Sequence, residues 1–215
     1  MRRAPMDPTR GNFIVLDGTE GSGKSTQGRM LHERLARELG PEAVLLVRDP
    51  GTTRIGEEIR ALLLHPEHAE MNMRCEMMLY MAARAQLMAE VILPGLDHGK
   101  TVVCDRFVSS TLAYQLGGDA LTAADIRAAA DIAIRGRWPD LTVLLDMPAR
   151  SSMARLNRAM DRIEQRPIEY HDQVRRNYLA QAEADPHGYR VVLADRDIEE
   201  VHADVWEAVS SRMKR

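Results

Sequence analysis

The chain has 215 residues, 45% of them apolar and 28% charged, with a formal net charge of −3. That length can bury a large core, and the weak negative balance excludes the global positive field that draws a protein onto nucleic acid or anionic lipid. Two cysteines make no disulfide framework and no apolar run is long enough to span a bilayer, so the expected setting is cytoplasmic, without nucleic acid or membrane partners.

Residues 1–11, with Arg2, Arg3, Pro5 and Pro8, lack the apolar stretch of a signal peptide and read as a disordered leader, in which Met6 is an alternative start to Met1. From Asn12 onward strand and helix patterns alternate. Apolar strands are expected at 12–17, 43–47, 101–104, 141–145 and 189–193. Helical spacing is expected at 25–39, 54–64, 70–97, 122–135, 150–158, 168–184 and 197–213, with a further short helix after Arg106. Near-continuous apolar strands separated by helices predict an α/β fold: a five-stranded parallel sheet flanked by helices on both faces. Ile198, Val201, Val205, Ala208 and Val209 form the stripe that packs the last helix on the sheet. No segment reads as a linker, so residues 12–215 are expected to form one domain. Cys104, in the run Thr101-Val102-Val103-Cys104, is read as a reduced core thiol.

The first strand leads into Gly18-Thr19-Glu20-Gly21-Ser22-Gly23-Lys24-Ser25, which fits G-x-x-x-x-G-K-[ST]. Glycines let the backbone curl until successive N–H groups face a polyphosphate. Lys24 supplies a charge to the β- and γ-phosphates, the Ser25 hydroxyl suits Mg²⁺, and the helix entered at Thr26 adds its positive end. A nucleoside triphosphate is the expected ligand. Ligands of such sheets sit beyond the carboxyl ends of the strands, and the next three strands run into Arg48-Asp49-Pro50-Gly51-Thr52-Thr53, Asp105-Arg106-Phe107 and Asp146-Met147-Pro148. The histidines, His32, His65, His68, His98, His171, His187 and His202, are scattered and read as surface residues.

The segments from Gly18 to Thr26, Arg48-Asp49-Pro50-Gly51-Thr52, Asp105 to Gln115 (D-R-F-V-S-S-T-L-A-Y-Q) and Asp161-Arg162-Ile163-Glu164-Gln165 resemble those of thymidylate kinases, in the family's order, across nearly the whole chain. The resemblance implies the P-loop NTPase fold with a short lid at about 150–168. It also implies transfer of the γ-phosphoryl of ATP to dTMP, giving dTDP and ADP, with Mg²⁺ as cofactor. By that resemblance Arg48 and Arg106 grip the acceptor phosphate, and Lys24 and Arg106 are catalytic. Asp105 organises Mg²⁺ beside Ser25, directly or through water, and Glu20 touches the sugar 3′-hydroxyl. Tyr80 stacks on the base and Arg84, four residues on, hydrogen-bonds it, while Thr111, Tyr114 and Gln115 contact base and sugar.

Gly21, where some members carry a basic residue, is similar to the bacterial branch that supplies the catalytic cation from the lid. Arg158 is the first candidate for that cation and Arg155 the second, among Arg150, Arg155, Arg158, Arg162 and Arg166. Asp161 and Glu164 orient or latch the lid. Asp49 stands where the family generally has Glu, which shortens a contact to the metal or to Arg106. The family expectation is a homodimer through the helix at 70–97, whose methionines suit an interface or a core. Two other readings stay open: a P-loop kinase of another nucleotide or a deoxynucleoside, and a nucleotide-dependent switch. The switch reading is disfavoured by the lack of an N-K-x-D motif.

Overall fold

In the computed structural model, residues 11–157 and 159–213 are described. The leader expected at 1–11, apart from Gly11, and the lid candidate Arg158 lie outside the described residues. The five strands are β1 (Phe13–Gly18), β2 (Val44–Arg48), β3 (Thr101–Asp105), β4 (Leu141–Asp146) and β5 (Tyr189–Leu193), all parallel in the order β2-β3-β1-β4-β5. β1, β3 and β4 are buried along their whole length, which is why they read as unbroken apolar runs rather than alternating ones.

The period of two along β1 divides the core. Phe13 and Val15, with Val102 and Cys104 of β3, face one layer of helices. That layer contains α3 (Met73–Leu87), α4 (Leu93–Asp97), α5 (Val108–Tyr114) and α6 (Ala123–Ile134). Ile14 and Leu16, with Val103 and Val143, face α1 (Lys24–Leu39) and α9 (Ile198–Met213), where Leu31, Leu35, Val201, Val205 and Val209 close the second layer. α2 (Arg54–Leu64) packs on α3; α7 (Ala149–Ala154) and α8 (Ile168–Ala184) connect β4 to β5.

Two helices differ from their sequence expectation for identifiable reasons. The helix expected from residue 70 starts at Met73, because Asn72 caps Cys75 N–H and Asp119, from a distant loop, accepts from Met73 N–H at 2.6 Å. It also carries a π-helical turn at Met88–Ile92, ending two residues before Pro94, whose ring interrupts an α-helical ladder. The helix expected at 150–158 stops at Ala154, and the described residues between Leu156 and the Pro167 that precedes α8 are non-helical.

β1 lies between β3 and β4, so the connection after β1 runs to one side of the sheet and the one after β3 returns across it. The crevice at that reversal, at the carboxyl ends of the strands, is where such sheets hold ligands. Register places Arg48 opposite Asp105 and Leu16 opposite the same residue, so the charged strand ends arrive at one edge.

Candidate active site

The loop from Gly18 to Lys24 wraps the start of α1. Gly21 has φ 72°, and a Cβ built there would lie 2.0 Å from the Ser152 carbonyl oxygen of α7. Glycine at this position therefore lets α7 rest directly on the phosphate loop, an approach reinforced by Thr19 Oγ1 donating to Ser152 Oγ at 3.4 Å. Lys24 is buried and donates to the Thr19 carbonyl at 2.5 Å. Burial, and next the charge of Arg106, bring its ammonium down to about 8. Ser25 Oγ donates to Asp105 Oδ2 at 2.6 Å. This is an all-oxygen pair, and among the described residues no group of three or more His, Cys, Asp or Glu side chains could enclose a metal. Such a site suits a hard ion that keeps waters and phosphate oxygens as its other ligands, as Mg²⁺ does.

Beyond the loop opens a cleft of about 930 Å³, counting the part open to solvent. It is lined by Glu20, Lys24, Ser25 and Asp105, and by Arg48, Arg60, Arg84, Arg106, Tyr80, Thr111, Tyr114 and Gln115. Arg106 follows β3 with φ 69°. Its guanidinium donates to the Gly18 carbonyl and to Ser110 Oγ, each at 3.1 Å, and to Glu20 Oε1 at 2.8 Å. Burial opposes its charge, but the oxygens of Tyr114, Glu20, Tyr178 and Asp17 outweigh that and hold it well above its ordinary value. Burial likewise opposes ionisation of Glu20, yet Arg106, Lys24 and the hydrogen bond from Tyr114 keep its carboxyl below the usual range.

Arg48 is half-exposed and forks onto Glu57 of α2 at 2.9 and 3.2 Å. Arg60, one turn along α2, donates to the Pro50 carbonyl at 3.2 Å. Burial first, then the like charges of Arg48 and Arg106, lower it. Cations that repel one another across a cleft make an anion site.

On α3, the Tyr80 ring faces the cleft, and burial raises its hydroxyl well above the ordinary value. Arg84 is buried and donates to Asp49 Oδ2 at 2.5 Å and to Thr111 Oγ1 at 3.2 Å. Asp49 therefore pairs with Arg84, correcting the expectation that it reaches the metal or Arg106. Its short side chain is spent on the nearer guanidinium, and burial raises its carboxyl despite that partner.

In the segment expected as the lid, Leu156, Asp161, Ile163 and Glu164 line the cleft. Asp161 Oδ1 accepts from the N–H groups of Ile163 and Glu164, which ties off the turn. Arg155 is not brought to the cleft; it donates to the Ala194 carbonyl and to Asp195 after β5, at 3.2 and 3.1 Å. Arg162 and Arg166 are not exposed lid cations either: both donate to Glu76 of α3. His171 corrects the surface expectation for the histidines, being 1% exposed on α8.

Several residues were not found from sequence. Asp17, wholly buried, accepts from Gly18 N–H, Ser109, Ser110 and Tyr178 at 2.5–3.0 Å, bracing the phosphate loop against α5 and α8. Arg60, Glu76, Ser110 and Tyr178 complete the set. The available signal was helical spacing: Tyr170, Val174 and Tyr178 fall on one face of α8, and Glu76, Tyr80 and Arg84 on one face of α3.

A phosphate loop at a helix start, with a serine–aspartate pair beside it and a second, arginine-walled pocket in the same cleft, defines a phosphotransferase of the P-loop class. Comparisons narrow the class. The family model described as thymidylate kinase matches residues 16–205. The thymidylate kinase of Desulforudis audaxviator is 42% identical over 95% of this chain and 92% of its own length. Those of Pelotomaculum thermopropionicum (44%; 93% of each) and Deinococcus radiodurans (41%; 95% and 98%) are similar. The crystal structure of thymidylate kinase from Ehrlichia chaffeensis superposes with a TM-score of 0.78 at 28% identity, covering 93% of this chain and 99% of that one. The chain belongs to the thymidylate kinase family, whose members are ATP-dependent nucleoside monophosphate kinases.

Proposed function

We propose that this cleft transfers the γ-phosphoryl group of ATP to the 5′-phosphate of dTMP, giving ADP and dTDP, a step in nucleotide biosynthesis. The observation that carries the reading is the convergence of Arg48, Arg60 and Arg106 in the cleft that also holds Lys24, Ser25 and Asp105. Two polyanions have to be brought together, and catalysis of phosphoryl transfer is mainly positioning and charge neutralisation. The acceptor phosphate, with a second pKa near ~6, is already largely dianionic at neutral pH, so no general base is required. Among the described residues no histidine lines the cleft.

Lys24 and the loop N–H groups hold the ATP phosphates. Ser25 and Asp105 would hold Mg²⁺, directly or through water, and the ion when bound neutralises charge between the β- and γ-phosphates. Arg106 and Arg48 receive the acceptor phosphate, with Arg60 behind them. Tyr80 stacks on the base, Arg84 and Gln115 meet its polar edge, and Thr111 closes the pocket. The Tyr114–Glu20 pair faces the sugar, Glu20 toward the 3′-hydroxyl and Tyr114 crowding the 2′ position. The lid from about 150 to 168 excludes water and brings a cation to the transferring group. Arg158 is the first candidate for it; Arg155, the second, would first leave Asp195.

The homodimer is proposed through α2 and α3. Ile55 and Leu62 are exposed seven residues apart on α2, and Met78 is 57% exposed on the neighbouring helix. No described helix is long and apolar enough to cross a membrane, consistent with a cytoplasmic enzyme.

The test is ADP formation from ATP and Mg²⁺ with dTMP, dUMP, dCMP, CMP, UMP, AMP and GMP in turn. Selective turnover of dTMP is expected. Preference for another monophosphate would discard the base pocket, and hydrolysis indifferent to every acceptor would discard the transfer.

A further inference from the structure

Glu76 lies one turn before Tyr80 and two before Arg84, on the same face of α3. Its carboxylate is wholly buried and outside the residues that line the cleft, so it touches no reactant. Three segments nonetheless meet on it. Oε2 accepts from Arg162 of the lid and from Arg166, just ahead of α8, at 2.8 Å for the latter. Oε1 accepts from Gln115 Nε2, at the end of α5, at 2.7 Å.

This arrangement fixes the orientation of an amide. A carboxylate held by two guanidiniums can only accept, so it must be the NH₂ of Gln115 that faces Glu76, and the amide oxygen points the other way. Gln115 lines the cleft together with Arg84 and Thr111. Its Oε1 is buried and has no hydrogen-bond partner among the described residues. A buried acceptor left unpaired is costly, and a donor on a bound ligand would remove that cost. A thymine or uracil ring carries an N–H at position 3; a cytosine ring carries a lone pair there.

We propose that Glu76 is a positioning residue of the acceptor pocket. Pinned by Arg162 and Arg166, it holds the Gln115 amide with its oxygen outward, selects a pyrimidine bearing N–H at position 3, and ties the base pocket to the root of the lid. The proposal rests on the reading of Gln115 as a base contact given above.

The test compares kcat and KM for dTMP and dCMP at saturating ATP and Mg²⁺, and KM for ATP at saturating dTMP, in the full chain and in Glu76→Gln, Gln115→Leu and the double variant. A glutamine at 76 carries its own NH₂ and lets the Gln115 amide turn over. Glu76→Gln is expected to lower the dTMP-to-dCMP ratio of kcat/KM by about tenfold or more, chiefly through KM for dTMP, with KM for ATP little changed. In the Gln115→Leu background the same substitution should move that ratio by less than about twofold. An intact ratio in folded Glu76→Gln, or an equal loss in both backgrounds, overturns the proposal.

Should Glu76→Gln fail to fold for want of a charge beside two guanidiniums, Glu76→Asp serves in its place. It keeps the charge and draws the carboxylate away from Gln115, and an unchanged ratio there overturns the proposal equally. Gln115→Leu separates the two layers. If it collapses the ratio while Glu76 variants do not, only the role of Glu76 falls. If it leaves the ratio unmoved, the base-pocket reading falls and takes this proposal with it.

Discussion

Replacing Arg106 by alanine separates the acceptor side of the cleft from the ATP side. The guanidinium would give two N–H groups to the acceptor phosphate, and hydrogen bonds to charged groups are worth about 1.5–3 kcal/mol each. The lost transition-state stabilisation is then about 3–6 kcal/mol, a fall of roughly 10²–10⁴ in kcat/KM for dTMP. Stability should fall far less. Glu20 keeps the Tyr114 hydroxyl, and Asp17 keeps Gly18 N–H, Ser109, Ser110 and Tyr178 when the guanidinium 3.7 Å away is removed. The cost is that of one partly buried pair, about 1–3 kcal/mol. Alanine inherits the φ of 69°, so backbone strain is unchanged. On the ATP side, Arg106 is a charge that lowers Lys24, and its removal makes Lys24 a better cation. Steady-state kinetics with each substrate varied, alongside urea unfolding, read all three quantities. The reasoning is refuted if dTMP turnover stays within about threefold of wild type, or if KM for ATP rises as steeply as kcat/KM for dTMP falls.

Four other outcomes are expected. Lys24 has its ordinary value of 10.5 lowered to about 8, and only its ammonium form attracts phosphate. ATP affinity of the free enzyme should therefore drop about tenfold by pH 9, measured by calorimetry, and a flat profile between pH 7 and 9.5 would contradict it. Without ATP the sign reverses: from pH 8 to 10.5 the unfolded chain binds the extra proton, so this group's contribution to stability grows with pH, visible in urea midpoints. Gly21→Ala should cost about 1–2 kcal/mol from its left-handed backbone alone. The 2.0 Å approach of Ser152 adds a displaced α7, so KM for ATP should rise together with a lower Tm, and a neutral substitution would show that α7 does not rest on the loop. Met78→Asp should shift sedimentation from dimer to monomer; an unchanged coefficient would place the interface elsewhere.

The fold was legible because its signals are local. Fully buried strands such as Leu141–Asp146 read as apolar runs whatever they pair with, and the helices at 54–64 and 168–184 have the bounds that their spacing suggests. The elements that were misjudged depend on distant partners. Nothing near Met73 announces that Asp119 will cap it across a gap of 46 residues, and nothing near Asp17 announces Tyr178, 161 residues on. The phosphate loop and the residues from Asp105 to Gln115 stood out because their chemistry is written in a fixed short spacing. Arg60 did not, since an arginine on an amphipathic helix looks like any solvated charge until its helix is laid against the cleft. The buried role of Arg162 and Arg166 was not legible for a related reason: five basic residues between 150 and 166 give no hint that two of them share one buried glutamate.

Burial then divides arginines that the sequence cannot tell apart. In the free protein Arg48 sits on Glu57, Arg84 on Asp49 and Arg106 on Glu20, so each of these arrives at the cleft already paired. Exchanging a carboxylate for a phosphate is cheap only where the pair is wet. The Arg48–Glu57 pair is 47% exposed on both sides, worth about 0–1 kcal/mol, and is easily given up to an incoming anion. Arg106 and Glu20, at 17% and 14%, stand between, able to keep the carboxylate and still offer a phosphate the remaining N–H groups. Arg84 and Asp49, at 1% and 0%, cannot separate without leaving a buried charge alone, so this arginine meets a ligand only with donors that the pair does not use. The cleft is thus graded from exchangeable cations at its mouth to fixed ones at its base, which suits a mobile phosphate above and a base read by rigid groups below.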